Sequence, residues 1–104
     1  MSIQSKALDT TVSSIYTATG TNGNVVSVSY FCNRSGAATT FSLYLVQNGF
    51  TANANNVVYS NKLITAGDTY ILELEKIILS NGDSLQANAN VADSVVATVS
   101  TLGI

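Results

Sequence analysis

Residues 69–75 read Thr-Tyr-Ile-Leu-Glu-Leu-Glu, with Tyr70, Leu72 and Leu74 on one parity and Thr69, Ile71, Glu73 and Glu75 on the other. Successive side chains leave a strand on opposite faces, so this period of two predicts a half-buried β-strand. The period recurs along the chain. Over Val25–Asn33 it sets Val26, Val28, Tyr30 and Cys32 on one face, expected to point inward, against Val25, Ser27, Ser29, Phe31 and Asn33. Over Thr39–Gln47 it opposes Phe41, Leu43 and Leu45 to Thr40, Ser42 and Tyr44. Ser84–Ala89 turns Leu85, Ala87 and Ala89 inward, and Val95–Leu102 groups Val95, Ala97 and Val99 against Val96 and Leu102. Weaker strands are expected over Thr11–Thr17 and Val57–Ile64.

Turn chemistry separates these runs. Gly20–Asn24, Arg34–Gly36, Asn48-Gly49, Ala66-Gly67-Asp68 and Asn81-Gly82-Asp83 supply residues that tolerate positive φ, and Phe50–Asn56 is the longest loop. The chain has no helix-length apolar stripe. Its longest apolar runs, such as Leu43–Val46 and Ile77–Leu79, fall far short of the ~20 residues that span a bilayer. The expected fold is all-β: one antiparallel β-sandwich domain over residues 1–104, of seven or eight strands, immunoglobulin-like or jelly-roll, with a small closed barrel as the alternative. Residues 1–8 alternate through Ile3, Ser5 and Ala7 and are expected to form a docking arm or an edge strand.

Only 10% of the residues are charged, against ~25% in an ordinary soluble domain, and the chain contains neither His nor Pro. Polarity comes from 13 Ser, 12 Thr and 11 Asn instead. Sheet edges are normally guarded by Lys, Pro or bulges. With Pro absent and Lys scarce, the edges are expected to be covered by other copies or another protein. At 10.8 kDa the folded surface should be about 5,500 Å², and two or three contacts of ~800 Å² would cover roughly a third of it. Lys6, Arg34, Lys62 and Lys76 are scattered, so no footprint for nucleic acid exists, and Met1–Lys6 lacks the apolar core of a signal peptide.

Chemistry is poorly provided for. Without His, neither a Ser–His–Asp triad nor a Cys–His nucleophile can be built, and the common zinc ligand is missing. Cys32, on a face expected to be inward, reads as a buried, inert thiol. Glycoside hydrolysis needs only two carboxylates, and Glu73 and Glu75 are two apart on a strand, about 7 Å between their Cβ atoms. They lie side by side rather than across a cleft, and a solvated or interface-facing stripe beside Lys76 accounts for them. Asp68 and Asn81-Gly82-Asp83 read as turn caps rather than calcium ligands. Asn33-Arg34-Ser35 matches a glycosylation sequon, a short pattern that often occurs by chance. Of the five tyrosines, Tyr30 and Tyr70 are expected inward and Tyr44 outward. Tyr44 and Phe50 are candidate interface anchors or sugar-stacking residues. The candidate interface is therefore Ile3, Ser5, Ala7, Tyr44 and Phe50, with no catalytic residue, metal or cofactor.

Two stretches resemble small bacteriophage virion proteins. One is Tyr30-Phe31-Cys32-Asn33-Arg34-Ser35-Gly36-Ala37-Ala38-Thr39-Thr40-Phe41, which is similar to a hairpin of that group. The other is Leu79-Ser80-Asn81-Gly82-Asp83-Ser84-Leu85-Gln86-Ala87 followed by Val95–Val99 and the close on Leu102-Gly103-Ile104. Both motifs are structural and carry no catalytic residue. The resemblance implies a virion structural protein: a capsid decoration (cement) protein first, with a neck, tail or baseplate accessory as the alternative. The partners implied are copies of itself and other virion proteins, with neither nucleic acid nor membrane. A carbohydrate-binding adhesion module, built on the Phe50–Asn56 loop, is the other class that fits a bare sandwich, and a weak glycan contact is compatible with either.

Overall fold

The chain folds as a long hairpin rolled upon itself. A computed structural model describes residues 2–19, 23–72 and 77–103. Its strands are β1 (Ser2–Ala7), β2 (Ser13–Thr17), β3 (Asn24–Asn33), β4 (Thr39–Val46), β5 (Val57–Ile64), β6 (Thr69–Leu72), β7 (Ile77–Leu79), β8 (Ser84–Ala89) and β9 (Val95–Gly103). All described pairings are antiparallel, and no helix occurs among the described residues. Nested outward from the centre, β4 pairs with β5, β3 with β6 and β7, β2 with β8, and β1 with β9. Cross-pairing of β3 with β9 and of β4 with β8 closes the roll. One sheet runs β1-β9-β3-β6, with β7 beyond β6 on the same side of β3, and the other runs β2-β8-β4-β5. Of the sandwich topologies expected, this nesting is the jelly roll. β6 and β7 lie end to end along β3, so they fill the place of one strand.

β1 is an edge strand of this chain's own first sheet, paired with β9 from Ser2↔Thr101 to Ala7↔Val96. The strand expected over 69–75 is described as far as Leu72. Glu73, Leu74, Glu75 and Lys76, together with Gly20–Asn22, lie outside the described residues.

The two sheets meet through aromatic rings. Phe31 of β3 stacks on Phe41 of β4. Within its own sheet each ring sits beside an alanine, Phe31 opposite Ala97 and Phe41 opposite Ala89, and the small neighbour leaves room for the ring. Leu8, Val26, Leu43, Leu85, Val95 and Val99 fill the surrounding core. From Phe41 the aromatic contacts continue to Tyr59 and Tyr70, which close the flank between β5 and β6.

One strand reverses the expected facing. On β3 the buried positions after Val26 are Ser29, Phe31 and Asn33, whereas Tyr30 is exposed and Cys32 is half-buried. The register explains it: Val26 faces Thr101 and Val28 faces Ser100, leaving Ser27 as an extra residue. A one-residue bulge exchanges the two faces of everything beyond it. The Ser27 hydroxyl donates to the Ser100 carbonyl at 3.1 Å, which secures the bulge. Tyr30 and Cys32 therefore lie on the outer face and not in the core.

Candidate interaction surfaces

The bulge creates the most distinctive surface of the molecule. Residues opposite one another in an antiparallel ladder share a face. On the outer face of the first sheet this gives three rows: Ala7–Val96–Cys32–Thr69, Ser5–Thr98–Tyr30–Ile71, and Ile3–Ser100–Val28. Val25 and Ile78 extend it along β3 and β7. None of these side chains is charged. Ile3, Ile78, Ile71 and Tyr30 are 70%, 69%, 47% and 38% exposed, so half of the exposed large apolar side chains among the described residues gather here. The Ser5 and Thr98 hydroxyls are hydrogen-bonded to each other at 3.1 Å, which further lowers the face's demand for water.

The expected interface residues divide among three places. Ile3, Ser5 and Ala7 lie on this outer face. Tyr44 is half-buried on the outer face of the other sheet, between Gln86 and Val57. Phe50 stands in the β4–β5 loop. They do not form one site. Tyr30 and Ile78 join the first surface; the alternation of β3 concealed Tyr30 because a bulge leaves no mark in a period-two reading.

The edges are better guarded than the scarcity of Lys and Pro implies. β5 carries register shifts on both sides of Leu43, with Asn61 at φ 53°, and β2 is bulged between Ser14 and Tyr16. Bulges of this kind spoil an edge as a template for pairing. β1 keeps a regular register throughout, so it is the straighter lateral edge on its side of the sandwich.

Lys6, Arg34, Lys62, Asp68 and Asp83 serve local structure. Lys6 Nζ donates to the Ser14 carbonyl at 3.3 Å, Arg34 Nε to the Asp93 carbonyl at 2.8 Å, and Lys62 lies 5.1 Å from the centre of the Tyr70 ring. Asp83 accepts from the backbone N–H groups of Ser80 and Asn48 at 3.0 and 2.9 Å, and Asp68 from that of Thr69 at 2.9 Å. These carboxylates cap turns. Among the described residues, no three His, Cys, Asp or Glu side chains converge as a metal site. The Glu73 and Glu75 pair lies outside the described residues.

Two polar arrangements are structural. Asn33 is fully buried with its amide saturated: Nδ2 donates to the Ala37 and Ile64 carbonyls at 2.8 and 2.9 Å, and Oδ1 accepts from Ser35 N–H and Oγ–H. The sequon nitrogen is thus committed inside the fold. The Tyr59 and Tyr70 hydroxyls are hydrogen-bonded to each other at 2.9 Å. This hydrogen bond, aided by desolvation and the neighbouring Tyr70 charge, pushes the Tyr59 phenol up to about 12.

The β4–β5 loop forms an open cleft of about 670 Å³, lined by Leu45, Gln47, Phe50, Asn53, Asn55, Asn56, Val57 and Val58. Asparagines hold its shape. Asn53 Oδ1 accepts from Asn55 N–H at 2.8 Å, Asn56 Oδ1 from Asn53 N–H at 2.9 Å, and both amides donate to the Thr51 carbonyl. Phe50 remains 64% exposed at the cleft.

No protein-family model and no curated protein matches this chain.

Proposed function

We propose that this chain is a non-enzymatic structural component of a phage particle, specifically a capsid decoration protein that docks through the outer face of its first sheet. The observation that carries this reading is the outer face around Tyr30, uncharged among its described residues, with Ile3, Ile71 and Ile78 exposed on it. A free domain seldom leaves such a face to water, whereas a domain held in a lattice covers it. The molecule presents 5654 Å² to solvent, so one standard patch of ~800 Å² takes about a seventh of it. The resemblance of Tyr30–Phe41 and of the closing strands to small virion proteins points the same way. The jelly roll is compatible, being a recurrent architecture of capsid domains, although fold alone decides no function.

The test is mass spectrometry of purified particles after separating heads from tails, with an Ile3→Glu, Ile71→Glu double variant supplied in place of the wild-type chain. The chain is expected in the head fraction, and the variant is expected to fold normally yet be lost from particles. Recovery with tails would move the assignment to a neck, tail or baseplate accessory. Absence from particles altogether, or full incorporation of the double variant, would overturn the docking surface.

A further inference from the structure

We infer that the β4–β5 cleft is a binding site for a neutral oligosaccharide, an activity that goes beyond a docking role and uses a different part of the molecule. The argument rests on which groups in the cleft are left unused. Asn53 and Asn56 are engaged in holding the loop, but the side-chain amides of Gln47 and Asn55 have no hydrogen-bond partner among the described residues. Each amide offers two donors and an acceptor, the combination that sugar hydroxyls, themselves donors and acceptors, require. Phe50 adds an exposed aromatic face, against which the C–H face of a sugar ring packs. Leu45, Val57 and Val58 supply the apolar part of the lining.

The charge character selects the ligand class. None of the eight lining residues is ionisable. An anionic or cationic ligand would lose hydration there without gaining a counter-charge. A neutral saccharide suffers no such penalty. The volume of about 670 Å³ lies in the ~300–1,000 Å³ range of small-molecule sites, which suits an oligosaccharide better than a single ion. The loop is preorganised by its own asparagines, so little ordering is required on binding.

The test uses the full chain in solution, with maltotriose, mannotriose and chitotriose as probes, read by NMR amide shifts and calorimetry. At least one trisaccharide is expected to bind with Kd below about 10 mM and to move the amides of residues 47–58. Phe50→Ala is expected to weaken it about tenfold or more, and Asn55→Ala about fivefold. Ile3→Glu, on the outer face of the first sheet, is expected to leave it unchanged, which separates this result from the docking test. Thermal melts of the variants confirm folding, which the exposed Phe50 should not disturb. No binding of any probe by about 10 mM would overturn the site. So would unchanged affinity in Phe50→Ala, or an effect of that variant on self-association alone, which would make the cleft a protein contact.

Discussion

The ring of Phe31 on β3 lies flat on that of Phe41 on β4, with centroids 4.4 Å apart and planes 13° from parallel. This contact joins the two sheets at the centre of the roll, and both side chains are at most 1% exposed. Truncating a buried Phe to Ala typically costs about 3–5 kcal/mol, the lost transfer energy plus the cavity left behind. A domain of this size has about 5–15 kcal/mol in total. Phe31→Ala and Phe41→Ala are each expected to lower the urea midpoint severely, and the double variant to lower it further while still showing a folded baseline. Because the rings touch, the two effects should not add, and a double-mutant cycle measures the coupling. Additivity of the two losses would show that the stack carries no energy of its own.

Asn33 predicts a second severe variant. Its amide donates to carbonyls in the β3–β4 turn and at the end of β5, so it ties three segments in the absence of any disulfide. Asn33→Asp keeps the size but turns a donor into an acceptor facing two carbonyls. It is expected to cost about 3 kcal/mol or more, since buried acceptors lose their partner and a charge is buried beside them. Chemical denaturation measures this; a loss under about 1 kcal/mol would show that the network is dispensable. The same geometry predicts that the intact protein, produced in a glycosylating host, carries no glycan on Asn33.

What the sequence made legible follows from how strand periodicity works. β5 and β8 match their expected spans, Val57–Ile64 and Ser84–Ala89, because turn residues bound them on both sides. The alternation of Leu85, Ala87 and Ala89 states their facing unambiguously, and all three are buried. β3 failed at one point only: Ser27 is chemically ordinary, and the register with β9, not its identity, makes it a bulge. That single residue moved Tyr30 from the expected core to the surface and brought Phe31 inside. The jelly-roll order was not readable either, since it depends on which distant strands pair, and alternation is silent about partners. The candidate surfaces were legible as residue types, Ile3 and Phe50 among them, but not as the face that β1, β9, β3 and β6 build together.

Ser29 gives a prediction of the opposite sign. It is fully buried on the inner face of β3, and its Oγ has no hydrogen-bond partner among the described residues. A hydroxyl buried without a partner is a standing cost of about 1–3 kcal/mol, part of which relaxation recovers. Ser29→Ala removes the hydroxyl with little change in shape and is expected to stabilise the protein by about 1 kcal/mol. An upward shift in melting temperature is the readout, and a clear destabilisation would mean that Ser29 has a hydrogen-bond partner after all.

Tyr59 makes stability depend on alkaline pH. Its phenol, held neutral by the hydrogen bond with Tyr70, ionises at about 12 in the fold against 10.0 in the unfolded chain. The fold therefore favours the neutral form, and the unfolded chain releases its proton first as pH rises. The sign follows: this contribution is fully present below pH 10 and is lost progressively as pH climbs toward 12. Native-state titration of phenolate absorbance should show one of the five tyrosines ionising near 12. In Tyr70→Phe the hydrogen bond is gone, and that late step should move back toward 10.0 while the fold persists at neutral pH. If the late step survives unchanged in Tyr70→Phe, the pairing of these two hydroxyls is not its cause.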